Sequence, residues 1–187
     1  CQELDFNQSE WSDAHSIDFN QEVTVREELD IQIYLEHHKD LNVTKTESGL
    51  RYIIVPGEFS NTEPAREGEV VTLDVKTMLL KTGELLHQTD SIPLRFVLGR
   101  SDVSSGFQEG IKLMRTMDKA RFILPSYLAG GLLGQDFIPP QAVLIIDAVL
   151  LLYLRSFKNF KTIFVLFGII IASLEIPMVD LSLNLII

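Results

Sequence analysis

Apolar residues recur along the chain first with a helical period and then with the spacing of strands. Between Glu22 and Lys39 they return every fourth position, at Val25, Leu29 and Ile33, which is the period of an amphipathic helix. Three further apolar side chains widen this stripe: Ile31, Tyr34 and Leu35. We therefore predict an amphipathic helix and a linker over residues 22–45.

After residue 45, short apolar runs alternate with turn residues, which is the pattern of β-strands. The runs span Leu50–Val55, Val70–Leu80, Leu94–Leu98, Ala120–Leu124 and Ala142–Leu154. The last of them is almost wholly aliphatic, which is typical of a central buried strand. Phe107, Ile111 and Met114 follow Gly106 and indicate a short helix between the strands. The pattern predicts an α+β domain over residues 46–154.

Composition removes several classes of function. Hydrophobic residues make up 46% of the 187-residue chain, which is enough for a buried core. The formal charge of −10 argues against a nucleic-acid partner, because phosphate backbones are bound through basic surfaces. The single cysteine excludes an intramolecular disulfide and a cysteine-cluster metal site. Adjacent His37 and His38 point in different directions on a helix, so we interpret them as solvated charges at its end, not as a metal pair.

The segment before the helix has the composition of a tether. Cys1 stands where an initiator Met is expected, which indicates either an artificially trimmed chain or a bacterial lipoprotein cleaved before an acylated cysteine. Residues 2–21 are rich in Asp, Glu, Gln, Ser and Asn, and such a segment buries too little apolar surface to fold. We expect a flexible acidic leash over residues 1–21. A lipidated Cys1 would anchor it to a membrane of the bacterial envelope, facing the periplasm or the outside.

Residues 155–187 are a hydrophobic tail whose role the pattern leaves open. A helix over the uncharged run 162–174 is about 20 Å long, short of the roughly 30 Å hydrocarbon core. Extending this helix beyond residue 174 would bury the charged side chain of Glu175 in the membrane and would include Pro177. We predict a helix over residues 157–174. This helix is an interfacial or marginal membrane helix, a segment packed on the domain or a partner, or a non-native extension from a mis-joined reading frame.

Several motifs, in their order and spacing, resemble the FKBP-type peptidyl-prolyl cis-trans isomerases over roughly residues 46–153. They are TESGLRY at residues 46–52, GEVV at 68–71, FVLG at 96–99, VSSGFQEG at 103–110, LM at 113–114, PSYLAGG at 125–131 and IPPQAVL at 138–144. Each motif alone is weak, whereas their order together is specific. The preceding amphipathic helix and Cys1 are similar to the lipid-anchored members of some Gram-negative bacteria.

The resemblance implies an antiparallel β-sheet wrapped around a short helix, and an isomerase that needs no cofactor, metal or nucleophile. Rotation about an X–Pro amide meets a barrier of about 18–20 kcal/mol because resonance is lost. An apolar pocket can take up the proline ring, remove water from the amide and stabilise the twisted amide more than the planar one. The implied partners are proline-containing polypeptides.

The family pattern implies a pocket of eight residues, for each of which core packing is the alternative. Phe107 falls where the family has the tryptophan of the pocket floor, Val103 and Ile138 fall at aliphatic wall positions, and Leu86 falls at an aromatic position after the hairpin glycine. We expect these four to act on the prolyl bond. Substrate-binding positions are implied for Val75, His87, Leu94 and Ile146.

The chain departs from the family pattern at several of these positions. Val75 stands at the family's tyrosine and His87 at its aspartate, so that His87 is either a titratable replacement or a solvated loop histidine. Ala129-Gly130-Gly131 replaces Ala-Tyr-Gly and removes the hydroxyl that donates to the substrate carbonyl. Tyr127 matches a different, structural position. We therefore expect weak isomerase activity, or binding without much turnover.

Three functions remain open at this point. The first is a membrane-anchored isomerase that assists the folding of extracytoplasmic proteins. The second is a catalytically silent FKBP-like binding module of an envelope complex, which the missing loop tyrosine favours. The third is a structural lipoprotein that keeps only the fold.

Overall fold

A computed structural model of the protein describes residues 13–59, 62–135 and 137–154. The elements in chain order are α1 (Asp13–His37), β1 (Thr44–Lys45), β2 (Arg51–Val55), β3 (Val70–Leu79), β4 (Leu85–Gln88), β5 (Leu94–Val97), α2 (Ser105–Ile111), β6 (Lys119–Leu124), a 3-10 turn (Ser126–Leu128) and β7 (Leu144–Leu154). The predicted strands are all present, with ends within two residues of the predicted ones. These elements confirm the α+β class.

In the described part of the chain the strands form one antiparallel sheet. Its order is β1-β2-β6-β7-β3-β4, and β5 pairs with the first residues of β3. The strand β7 is hydrogen-bonded to β3 along one edge and to β6 along the other. Its prediction as a central buried strand is therefore confirmed.

Helices α1 and α2 cover opposite faces of this sheet. Alternate residues of a strand point to opposite faces, and on β6 Phe122 belongs to the core cluster with α2 while its neighbour Ile123 belongs to the cluster with α1. The core on the α2 side contains Leu73, Phe107, Ile111, Met114, Phe122, Leu124, Leu144 and Leu150. This larger core holds the short helix against the sheet.

The start of α1 differs from the prediction. The helix begins at Asp13 and not at Glu22, so residues 13–21 belong to it and not to a leash. Polar composition predicts a tether for an isolated segment, whereas here those residues extend a helix whose later turns are packed on the sheet.

The buried face of α1 contains only part of the predicted stripe: Ile31 is buried, and Tyr34 and Leu35 pack against the same cluster. Val25, Leu29 and Ile33 are 69%, 54% and 45% exposed. The buried residues are Val23, Glu27 and Ile31. Both sets recur every four residues, so periodicity alone cannot choose between them. The sheet decides, because Ile31 packs in one cluster with Ile123 and Ile145.

Charged side chains connect α1 with β1 and β2. The buried Arg51 donates from Nη2 to Oε1 of Glu28, and from Nη1 to the Gly49 carbonyl oxygen at 3.3 Å. Lys45 Nζ lies 3.4 Å from the same carboxylate. The hydrogen bond from Arg51 lowers the pKa of Glu28, and the positive charges of Arg51 and Lys45 lower it further against the opposing effect of burial.

Three sequence predictions fall outside the described residues: the acylation of Cys1, the first part of the leash, and the helix over residues 157–174. Within the described ranges, no helix has the combined length and hydropathy required to cross a bilayer. His37 and His38 each place ring Nδ1 near the carbonyl oxygen four residues earlier, at 2.7 Å and 2.8 Å.

The Glu28–Arg51 pair predicts a pH-dependent stability. Because the pKa of Glu28 in the folded protein lies below its ordinary value of 4.5, the pair stabilises the fold above that value and loses this contribution as the pH falls through the folded-state pKa. We expect Glu28→Gln to lower the melting temperature near neutral pH, and the gap from the wild type to shrink towards about pH 3. Thermal unfolding across this range measures it, with Glu36→Gln, exposed on the same helix, as control. A gap that does not change with pH would contradict the assignment.

Candidate active site

A cavity of about 310 Å³ lies where α2, β3, β4 and β7 meet the loops before α2 and before β7. Exposed side chains border its mouth: His87, Asp102, Gln135 and Phe137. Its interior is lined mainly by buried or half-buried apolar side chains. Such a concave apolar site with a few polar groups is the usual form of a small-ligand pocket.

Phe107 of α2 forms the floor of this cavity. Its side chain is only 3% exposed, and its ring meets that of Phe122 edge to face, with the centroids 6.1 Å apart. Glycines on either side let α2 approach closely, since a Cβ on Gly106 would lie 2.7 Å from Leu128 Cβ and one on Gly110 would lie 2.6 Å from the Phe122 ring. The helix thus places the Phe107 ring at the base of the cavity.

The sheet supplies one wall of the cavity through the two-residue period of its strands. Val75 and Thr77 of β3 and Leu144 and Ile146 of β7 all line it. Thr77 and Ile146 are direct cross-strand partners, so their side chains share one face. Leu94 of β5 extends the same wall.

The loop before α2 supplies a second wall, and Gln108 holds its shape. Gln108 Oε1 accepts the Gly99 N–H at 2.7 Å, and Nε2 donates to the carbonyl oxygens of Ser101 at 3.2 Å and Val103 at 2.6 Å. Val103 and Ser104 of this loop line the cavity. One side chain of α2 therefore ties the floor to the adjoining wall.

Two contacts join the elements around the rim. The rings of His87 on β4 and Phe137 in the loop before β7 stack with centroids 5.0 Å apart. Gln135 Nε2 donates to the Asp102 carbonyl oxygen at 3.2 Å. The loop before β7 is thus connected to the sheet edge on one side and to the loop before α2 on the other.

A second, larger groove of about 560 Å³ crosses the opposite face of the sheet. It contains charged side chains, including Asp74, Lys76 and the Arg121–Asp147 ion pair at 2.6 Å. The groove is also more open to solvent than the cavity over Phe107, so an apolar substrate group in it would lose less of its contact with water. The smaller cavity over Phe107 is therefore the better candidate for an apolar ligand.

Comparison with known proteins agrees with this geometry. Residues 61–151 match the family model of the FKBP-type peptidyl-prolyl cis-trans isomerase. FkpA of Escherichia coli strain K12, an FKBP-type peptidyl-prolyl cis-trans isomerase, is 31% identical over 114 residues, which are 60% of this chain and 41% of that protein. Human peptidyl-prolyl cis-trans isomerase FKBP14 is 32% identical over 88 residues, or 45% of this chain and 42% of that protein. The chain thus spans about two fifths of the length of these relatives.

Solved structures show the same similarity. The crystal structure of FkpA from Escherichia coli has a TM-score of 0.60 and 25% identity, covering 74% of this chain and 64% of that chain. The crystal structure of AtFKBP13 has a TM-score of 0.55 and 23% identity, covering 61% of this chain and all of that chain, and shares the fold. Residues 61–151 therefore form a domain of the FKBP-type peptidyl-prolyl cis-trans isomerase family.

The cavity over Phe107, called the FKBP cavity below, contains seven of the eight residues that the sequence predicted as the site. The residues brought together are Val75, His87, Leu94, Val103, Phe107, Ile138 and Ile146. Leu86 is the exception, since it does not line the cavity and is half-buried against the core cluster. The roles expected of the seven within catalysis and binding stay predictions.

A β-bulge explains the different placement of Leu86. On β4, His87 pairs with Thr77, while Leu85 pairs with Met78, the next residue of β3, so Leu86 has no partner in the register. A bulge of this kind redirects the neighbouring side chains. Leu86 packs against the core cluster on the α2 side of the sheet, and His87 lines the cavity on the same side. The hydrophobic pattern alone contains no signal for this shift.

Sequence reasoning missed several residues of the FKBP cavity: Thr77, Asp102, Ser104, Gln135, Phe137 and Leu144. Thr77 and Leu144 lie two residues from Val75 and Ile146, so strand alternation was the available signal. Phe137 had no such signal, because it lies in a loop. It supplies an aromatic ring at the rim of a cavity lined by Val75 and Leu94, where the family resemblance implies aromatic residues.

Close packing accounts for a glycine where the family has its loop tyrosine. A Cβ on Gly130 would lie 2.9 Å from Ile138 Cγ2, so a larger residue there must displace the cavity wall. Tyr127 lies elsewhere: its hydroxyl donates to the Ser48 carbonyl oxygen at 3.0 Å. This bond agrees with the structural position to which the sequence assigned Tyr127.

Removing the Gln108 side-chain amide is expected to loosen the wall of the FKBP cavity. Gln108→Leu deletes the acceptor of the Gly99 N–H and two donors to loop carbonyls, which should destabilise the fold by about 1–3 kcal/mol. Amide hydrogen exchange at Gly99 and urea unfolding measure the two effects. Gln21→Leu, at an exposed position of α1, is the control. Unchanged exchange at Gly99 would show that the loop holds its shape without Gln108.

Proposed function

We propose that the cavity over Phe107 catalyses cis-trans isomerisation of X–Pro peptide bonds. The observation that carries this proposal is an apolar cavity of about 310 Å³, floored by Phe107, in a domain of the FKBP family. Family membership alone gives a weaker argument, because a fold can persist without its activity.

The geometry supports catalysis by desolvation. A proline ring that packs on Phe107, between Val103 and Ile138, brings its amide into a site with few water-accessible polar groups. The planar amide has a charged resonance form that water stabilises, whereas the twisted amide has lost that resonance. A dry wall therefore favours the twisted amide relative to the planar one and lowers the barrier.

The alternative is a catalytically weak or silent binding module of a cell-envelope complex. Ala129-Gly130-Gly131 supports it, since this segment has no hydroxyl to orient the substrate carbonyl. The polar residues that line the cavity are Thr77 and Ser104 within it and His87, Asp102 and Gln135 at its mouth. Gln135 already donates to Asp102. The two candidates differ in turnover and share the binding of proline-containing polypeptides.

Substitution of Phe107 tests the site. Phe107→Leu keeps an apolar floor and removes the aromatic face, which should reduce kcat/KM for an X–Pro test peptide by roughly two- to tenfold, the equivalent of an aromatic contact worth about 0.5–1.5 kcal/mol. Phe107→Trp, which installs the family's residue, should retain activity. The measurement is the rate of isomerisation by the full chain, with Phe59→Leu, at an exposed phenylalanine, as control.

Three outcomes distinguish the candidates. A loss confined to Phe107→Leu supports the isomerase. A wild-type chain that binds proline peptides without accelerating isomerisation supports the module. Equal activity of Phe107→Leu and Phe59→Leu would refute the cavity as the site.

The physiological setting in this proposal is the folding of extracytoplasmic proteins at a bacterial envelope membrane. Its support is the single cysteine, Cys1, and the acidic and polar residues that follow it; the tail over residues 157–187 is a further membrane contact in the same proposal. Mass spectrometry of the native N-terminal peptide tests it. Acyl chains on Cys1 are the expected result, and an unmodified Cys1 would overturn the anchor.

A further inference from the structure

The turn after β6 connects helix α1 to the loop before β7. The Ser126 N–H donates to Oε2 of Glu27 on α1 at 2.9 Å. The Ser126 carbonyl oxygen accepts the N–H groups of Ala129 at 2.9 Å and Gly131 at 2.7 Å. The N–H of Ser126 thus bonds to α1, and its carbonyl oxygen bonds to the loop before β7.

The connection continues from Gly131 to the cavity wall. The Gly131 carbonyl oxygen accepts the Gln141 N–H at 3.1 Å, which closes the loop onto the start of β7. The main chain of Gly130 is packed directly against Ile138, as the 2.9 Å separation from a Cβ to Cγ2 indicates. Ile138 lines the cavity. A displacement of Ser126 therefore moves this wall.

Glu27 is an unusual choice for the buried face of α1. It is only 4% exposed, and within the described residues its Oε1 has no hydrogen-bond partner. Burying a carboxylate with one oxygen unpaired costs free energy that an apolar side chain on this face would not. Glu27 Oε2 accepts the hydrogen bond from Ser126. We infer that the buried carboxylate holds the turn after β6 in place.

We propose that Glu27 is a positioning residue for the proline cavity, through its hydrogen bond to the Ser126 N–H. The inference rests on the proposed isomerase function and adds α1, which lies outside the family match at residues 61–151, to the parts that shape the site. By fixing Ser126, the helix sets the distance between the Ile138 wall and the Phe107 floor.

The test compares variants of Glu27 in the full chain. Glu27→Leu removes the acceptor and replaces the carboxylate with an apolar side chain of similar size. Glu27→Gln keeps an acceptor oxygen, and Glu36→Leu, at an exposed position of α1, is the matched control. The readouts are kcat/KM for an X–Pro peptide, proline-peptide affinity and amide hydrogen exchange at Ser126 and Gly131.

The expected result is a loss of about two- to thirtyfold in kcat/KM for Glu27→Leu, the range for coupled positions that do not touch the ligand. Exchange at Ser126 and Gly131 should rise in the same variant. Glu27→Gln should restore most of both, which a purely structural effect of losing the charge would not, and Glu36→Leu should change neither.

Ser126→Pro removes the same hydrogen bond by changing its donor instead of its acceptor. It removes the N–H donor, and Pro125 already has φ −58° and ψ 158°, the conformation that a residue before proline requires. Proline is also tolerated at the first position of a helical turn. If the bond is what matters, Glu27→Leu combined with Ser126→Pro loses no more kcat/KM than the larger single loss.

Each outcome decides. The role of Glu27 would be overturned if both single variants keep the wild-type kcat/KM and the wild-type exchange rate at Gly131. It would also be overturned if the losses of the single variants multiply in the double variant. Either result leaves the isomerase function standing. If the wild type neither turns over nor binds proline peptides, the isomerase proposal falls, and exchange at Gly131 still decides whether Glu27 holds the loop. If Glu27→Leu does not fold, Ser126→Pro against Glu27→Gln gives the same comparison.

Discussion

The distance between α2 and the sheet is set by Gly106 and Gly110, one turn apart on the helix. With a side chain at either position the helix would collide with Leu128 or with the ring of Phe122, at 2.7 Å and 2.6 Å from an added Cβ. Protein interiors are packed too densely to absorb such overlaps without moving an element. Phe107 lies between these glycines, so the close approach of the helix also fixes the cavity floor.

The cavity combines this fixed floor with walls that come from separate parts of the chain. The sheet wall is rigid because β3 and β7 are paired along ten residues of β3. The loop walls depend on single side chains, Gln108 for one and Gln135 for the link between both. Titratable groups among the described lining residues, His87 and Asp102, stay at the exposed rim. The interior remains apolar, which suits removal of water from an amide.

The chain keeps the apolar character of an FKBP site and replaces several of its polar and aromatic groups. Gly130 leaves no room for the family's tyrosine while Ile138 occupies its present place. Phe137 brings an aromatic ring to the rim from the adjacent loop and stacks on His87. The replacements are therefore connected to one another through the loop before β7, and any restoration of the tyrosine requires the cavity wall to change with it.

The order of residues within short segments of the chain determined much of what this protein's sequence predicts. Apolar runs bounded by turn residues located five strands of the sheet. The succession of motifs around Phe107 and Ile138 indicated the family and most of the cavity residues, because these signals lie within a few residues of one another. The buried face of α1, the bulge at Leu86 and the arrival of Phe137 at the rim were decided only by tertiary structure. The bulge depends on the pairing of β3 with β4. The face of α1 depends on contacts between distant segments, such as the Glu27–Ser126 bond between residues 99 positions apart. Periodicity does not distinguish two faces of one helix that both recur every four residues, and only the surface that the helix meets selects the face that is buried.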